Sequence, residues 1–313
     1  MERKLRNNIK KETGKSKNVL ISVDFSSKCN LAINVGFELA RRLERNVTLL
    51  HASNIAFQPA IPEFPDEFNG IDNENAEIEE IEIGEEIHAA DEKSFSELKK
   101  SISNKEKEGT LPTIPYEIVL TPGMPEEVIK EYCAVTPPEV IVMACRGREK
   151  RHSDLIGSVT AEVIDSCIAT VLTVPEEYTF SGFKEIVRIC AFCYFDEGDF
   201  ECISKLMSMF DSPEVQIYLF PATDKLKLEN LLSSLYNLQR QLGETFPKSE
   251  FKVGFSGTNM NLREEVELLF RKKQIQMVLA PNRRRNFISR LFNPGLPHKI
   301  LYEIDIPLLS IPV

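Results

Sequence analysis

Short apolar runs alternate with longer stretches of helical period along the chain. Residues 18–23 (NVLISV) are apolar and rich in β-branched side chains, and the run stops at Asp24-Phe25-Ser26. A continuous apolar run bounded by turn residues predicts a buried parallel strand. Leu31, Ala32, Val35, Leu39, Ala40 and Leu43 then recur at helical spacing, with Ser26 or Ser27 placed to cap that helix. Further strands are predicted over Val47–Ala52, Tyr116–Leu120, Val140–Met143 and Ala169–Val174. Gly123 is expected to turn the chain ahead of a helix that opens at Pro125 with Glu126 and Glu127 near its positive end. Another helix is predicted over Ile87–Asn104. Strands alternating with helices in this way imply βαβ units, right-handed crossovers and helices on both faces of a parallel sheet.

The order then repeats. Ile186–Phe192, Val215–Phe220, Phe251–Phe255, Gln276–Ala280 and Ile306–Val313 match the five strands of the first half in sequence. Five elements recurring in one order predict an internal duplication: two tandem five-stranded α/β domains over 18–176 and 184–313, with the boundary near Glu176–Gly182. The apolar Ile168–Pro175 and Ile306–Val313 read as edge strands that seek pairing, so an internal pseudo-dimer is expected, with a homodimer as the alternative.

Two segments fall outside the alternation. Residues 1–17 form a basic tail (Arg3, Lys4, Arg6, Lys10, Lys11, Lys15, Lys17) expected to be disordered. Residues 53–87 read as an inserted loop, with Pro59, Pro62 and Pro65 followed by an acidic run. From Glu63 to Glu86 there are eleven acidic residues and no Lys or Arg. The run lacks the ligand spacing of a calcium loop. A net charge of −10 argues against nucleic acid as the partner of the whole chain. No apolar run is long enough to span a membrane, and the basic start lacks a hydrophobic region after it, so a cytoplasmic location is expected. Seven cysteines, mostly in apolar runs, fit reduced buried thiols.

The candidate chemistry sits after the fourth strand. Ala144-Cys145-Arg146-Gly147 is followed, nine residues later, by Gly157-Ser158, and a helix follows with Val159, Val163 and Ile164 on its apolar face. Glycines let main-chain amides approach a phosphate, and a helix N-terminus adds unpaired N–H groups and partial positive charge. Main-chain amides between Met143 and Val159 are thus the expected phosphate cradle, with Arg146, Arg148, Lys150 and Arg151 adding positive charge. Asp24, ending the first strand, can accept ribose or amine hydrogens or hold a metal on the phosphates; the plainer reading is a turn or cap aspartate. His51 reads as a satisfied core or pocket-edge residue. Cys190 and Cys193 read as inert buried thiols, and no Ser-His-Asp or Cys-His arrangement supports nucleophilic catalysis.

The glycine, two residues, glycine, nine residues, glycine-serine pattern, together with Val23-Asp24-Phe25-Ser26, Leu49-Leu50-His51-Ala52 and Gly123-Met124-Pro125-Glu126-Glu127-Val128, resembles the universal stress protein family. The resemblance covers about residues 18–176 and, more faintly, 184–313. It implies Rossmann-like domains of the adenine nucleotide alpha hydrolase type and ATP, with Mg2+, as ligand. Asp24 would contact the adenosine. Ser22, Val23 and Ala52 would line the adenine pocket, and Met143, Ala144, Gly147, Gly157, Ser158 and Val159 would surround the phosphates. Ala144 replaces the family's first glycine, so its φ decides whether the extra methyl is tolerated. In the second half Tyr194 replaces the aspartate, Arg283 stands for Gly147 and Asn293-Pro294 for Gly157-Ser158. That half is expected to have lost the ligand. The implied function is a nucleotide-dependent stress-response regulator with at most slow ATPase activity. The alternatives are a non-nucleotide scaffold for a protein partner and an adenylating enzyme.

Overall fold

In the computed structural model the described residues are 18–26, 29–53, 73–145, 158–166, 169–210, 215–222, 228–257, 262–282 and 306–313. The basic tail, both candidate loop glycines and the cluster Arg283–Arg285 lie outside them.

The first half runs β1 (Val19–Ser22), α1 (Cys29–Leu43), β2 (Val47–Ser53), α2 (Asn73–Lys107), β3 (Tyr116–Pro122), α3 (Pro125–Val135), β4 (Val140–Cys145), α4 (Ser158–Ser166) and β5 (Thr170–Pro175). A short 3-10 turn at Phe183–Glu185 leads to β6 (Arg188–Cys193), α5 (Glu197–Phe210), β7 (Gln216–Pro221), α6 (Leu228–Thr245), β8 (Glu250–Val253), α7 (Leu262–Lys273), β9 (Met277–Asn282) and β10 (Leu308–Pro312). Each of the ten strands falls on a predicted apolar run. The eight inner strands are almost wholly buried because helices cover both faces, which is why they read as unbroken apolar runs, while the edge strands β3 and β8 are only partly buried.

One helix departs from expectation. α2 begins at Asn73, so the acidic stretch read as loop as far as residue 87 is helical from 73 onward. Glutamate is a good helix former, and Lys105 and Lys107 in the last turn favour the helix dipole. These terms outweigh the repulsion that suggested a loop.

All ten strands join one sheet in the order β3-β2-β1-β4-β5-β10-β9-β6-β7-β8. Within each half every pairing is parallel. The two expected edge strands do pair: β5 and β10 run antiparallel, with Leu172 opposite Leu309, Thr173 opposite Leu308 and Val171 opposite Ser310. That register is symmetric about the Leu172–Leu309 pair and gives the chain an internal two-fold. Other contacts reinforce the seam. Arg42 Nε of α1 donates to the Met209 carbonyl at 2.9 Å, and its guanidinium lies 5.6 Å over the Phe210 ring. Asn282 Nδ2 at the end of β9 donates to the Ile164 carbonyl of α4 at 2.6 Å. The connecting segment packs through Tyr178, Phe180, Phe183 and Phe210, with successive ring centroids 6.4, 5.1 and 5.4 Å apart.

α1 lies close over β1, and Gly36 is what allows it. A Cβ at Gly36 would sit 2.4 Å from Ile21 Cδ1 and 2.7 Å from Ile21 Cγ1. Ile21 is fully buried, so the overlap cannot relax outward. Gly36→Ala is expected to destabilise the fold by roughly 1–3 kcal/mol, read as a lowered midpoint in urea with unchanged slope. A variant as stable as the parent would show that α1 has room to retreat.

Candidate functional site

The strand order places a topological switch point between β1 and β4: the chain builds outward from β1 through β2 to β3, then crosses back to β4. Ligands on open parallel sheets settle at the carboxyl ends of strands at such a point. Asp24 follows β1, Ala52 lies near the end of β2, and Ala144 and Cys145 close β4. The fold therefore brings Ser22, Val23, Asp24, Ala52, Met143 and Ala144 to one edge of the sheet. α4 starts at Ser158, beyond the loop after β4, so its N-terminus faces that edge while Val159 packs against the core. Gly147 and Gly157 lie outside the described residues.

Ala144 belongs to β4, paired with Val174, and is absent from the residues of positive φ. An extended alanine carries its methyl without backbone strain, so the replacement of the first glycine does not distort the strand end.

Asp24 is exposed. Its Oδ1 accepts from the Ser26 amide at 3.0 Å and from Ser26 Oγ at 2.7 Å. The plainer turn reading thus holds for one oxygen, and Oδ2 takes no partner among the described residues. Between them Phe25 adopts φ 55°, a left-handed conformation that costs a non-glycine residue on the order of 1 kcal/mol. Strain of this kind survives only where the surroundings hold it.

The surroundings are a cluster that sequence reasoning missed. His51 Nδ1 lies 2.7 Å from the Val23 carbonyl. The ring of Phe25 packs on the imidazole at 4.4 Å and edge-on to Phe95 at 4.7 Å. Asp91 of α2 stands 3.4 Å from His51 Nε2 and accepts from Ser53 Oγ at 2.5 Å. Ser53 bonds to the aspartate and not to the histidine, so no nucleophilic relay is formed. Asp91 and Phe95, one helical turn apart within the helix predicted over Ile87–Asn104, are the available signal; that this helix lies against the end of β2 is not marked in the sequence.

Strand registers align the second half position by position. Ile21 of β1 opposes Val142 of β4, and Ala191 of β6 opposes Leu279 of β9. Counting on, Tyr194 stands at Asp24, Phe195 at Phe25, Pro221 at His51, Pro281 at Ala144 and Asn282 at Cys145. Phe195 has φ 67°, the counterpart of Phe25. Here the turn is held by Asp199, which accepts from the Tyr194 amide at 3.0 Å and from the Phe195 amide at 2.5 Å. The turn persists while the aspartate and histidine are gone.

A family model described as the universal stress protein family matches residues 15–175. The chain belongs to that family. Its residues 15–175 span the whole switch-point edge, including both loop glycines. Among solved structures, a universal stress protein from Archaeoglobus fulgidus superposes with TM-score 0.65 at 13% identity, covering 95% of this chain and 99% of that one. A putative universal stress protein from Pseudomonas aeruginosa gives TM-score 0.51 at 10% identity over 94% of this chain and 91% of its own. At these identities the likeness concerns the fold, and it extends over both halves. No curated protein matches. Among the described residues no helix is long and apolar enough to cross a membrane, and no group of three or more His, Cys, Asp or Glu could hold a metal ion.

The thiols are graded by burial. Cys190 and Cys193 are fully buried, and desolvation pushes both well up from the ordinary thiol range. Cys29 is pushed up to about 12, mainly by burial. Cys145, at the site edge, is half-buried. Since only the thiolate is nucleophilic, a maleimide at pH 8 should label Cys145 well before Cys29, Cys190 and Cys193, read by peptide mass spectrometry. Equal rates would show that the core opens on the labelling timescale.

Proposed function

We propose that the first half of this universal stress protein binds ATP at the β1/β4 switch point and that the chain acts in the cytoplasm as a nucleotide-dependent stress-response regulator. One observation carries the reading: Asp24, Ala52 and Ala144 stand together at the carboxyl edge, facing the start of α4, and an unstrained Ala144 leaves the main chain of that strand end undistorted. In this arrangement Asp24 meets the ribose through its exposed Oδ2 or, with Mg2+ present, supplies one carboxylate to the ion. Ser22, Val23 and Ala52 border the base. Amides from Met143 to Val159, with Gly147, Gly157 and Ser158, hold the phosphates. In this reading the bound nucleotide serves as a signal and any turnover is slow. The second half, with Tyr194, Pro221 and Pro281 at the matching places, keeps the fold and contributes the pairing strand.

Calorimetric titration with Mg-ATP tests this. Submillimolar affinity is expected, weakened at least about tenfold by Gly157→Val, whose side chain would fill the cradle, and by Asp24→Ala. Absence of heat from the parent protein at submillimolar ATP, or unchanged affinity in Gly157→Val, would overturn the assignment. A second reading, a scaffold that binds protein without nucleotide, is favoured by the degenerate second half; ATP retained in the purified protein would exclude it.

A further inference from the structure

We infer that His51 is a positioning residue for Asp24. It grips the main chain immediately before that aspartate and the side chain immediately after it. The inference rests on the nucleotide reading only for its consequence on affinity; the geometry of the turn stands apart from it.

The β1–β2 ladder ends at the Val23 amide, which donates to the Leu50 carbonyl at 2.8 Å. The Val23 carbonyl lies past the last paired residue, Ser22 opposite Leu50, and receives no ladder donor. His51 Nδ1, at 2.7 Å, supplies one. A carbonyl only accepts, so Nδ1 must carry the proton, which assigns the tautomer. On the other side of Asp24, Phe25 is held in its left-handed turn by ring packing on the same imidazole. The ring is itself packed from behind by Phe95, while Asp91, the one carboxylate within 4 Å of it among the described residues, is held by Ser53 Oγ. His51 and Asp91 are both mostly buried, with 13% and 16% of their side chains exposed, whereas Asp24 is exposed. A mostly buried imidazole, engaged by the Val23 carbonyl and the Phe25 ring, thus backs an open carboxylate, the relation expected of a residue that acts through another.

The second half supplies the contrast. Pro221 stands where His51 would be and has no donor, and the aspartate there is Tyr194. The same turn, with Phe195 at φ 67°, is instead held by two amides on Asp199. Retaining the turn therefore demands a holding group in each half. In the first half that group is a side chain from β2, and the Ser26 amide donates to Asp24 Oδ1 instead.

The test uses the full chain with His51→Ala and His51→Asn; asparagine keeps an N–H donor near the place of Nδ1. In the ligand-free protein, 15N spectra at pH 8 should show the Nδ1–H tautomer for His51. The amide resonances of Asp24, Phe25 and Ser26 should move strongly in His51→Ala and stay near the parent positions in His51→Asn. Mg-ATP affinity should fall about tenfold in His51→Ala and be largely restored in His51→Asn. An Nε2–H tautomer, unmoved turn resonances in His51→Ala, or equal losses of affinity in both variants would overturn the inference. Should the parent take up no nucleotide while the spectra behave as expected, the positioning role stands and the nucleotide reading falls. Should His51→Ala fail to fold, the tautomer and the His51→Asn spectra decide alone.

Discussion

Three residue pairs between β5 and β10 join the two halves into one sheet, and the rest of the architecture follows from the direction in which they run. A five-stranded parallel sheet leaves its fifth strand as an edge whose amides and carbonyls must find partners. Here each half supplies the other's missing neighbour. Because the pairing is antiparallel, the carboxyl edge of one half lies on the same side as the amino edge of the other. The first half's candidate site and the second half's vacated counterpart therefore face opposite ways. Neither can borrow strands from the other, and the seam contacts of Arg42, Asn282 and the Tyr178–Phe183 aromatics fall between them.

Much of the fold was legible because parallel strands covered on both faces have no polar side to show. Their apolar runs stand out against amphipathic helices, and repetition of the order exposed the duplication. What was lost was lost to competing local signals. Proline and dense negative charge near residue 60 suggested a loop, but a 35-residue helix takes over from Asn73, because glutamate is a good helix former and Lys105 and Lys107 suit its last turn.

The site was legible in part. Spaced glycines, Ser158 and Asp24 stand out by their chemistry, and the strand order brings Asp24 and Ala144 to one edge as anticipated. The support behind Asp24 was not visible. His51 and Val23 are 28 residues apart, and His51 and Asp91 meet only because α2 crosses back over the end of β2. No local pattern marks such contacts; they arise from the crossover itself. The conformation of Phe25 was equally hidden, since phenylalanine is not a residue that announces a left-handed turn.

The bond from Asn282 to Ile164 has a mechanical meaning. It ties a carbonyl near the trailing end of α4 to the last residue of β9, while the leading end of the same helix begins at Ser158 beside the candidate phosphate cradle. A nine-residue helix behaves as a short stiff rod. Any slide or tilt taken up at its front is delivered at its back, onto a strand of the opposite half, with no flexible joint between. The second half thus braces the rear of a helix whose front borders the candidate site of the first.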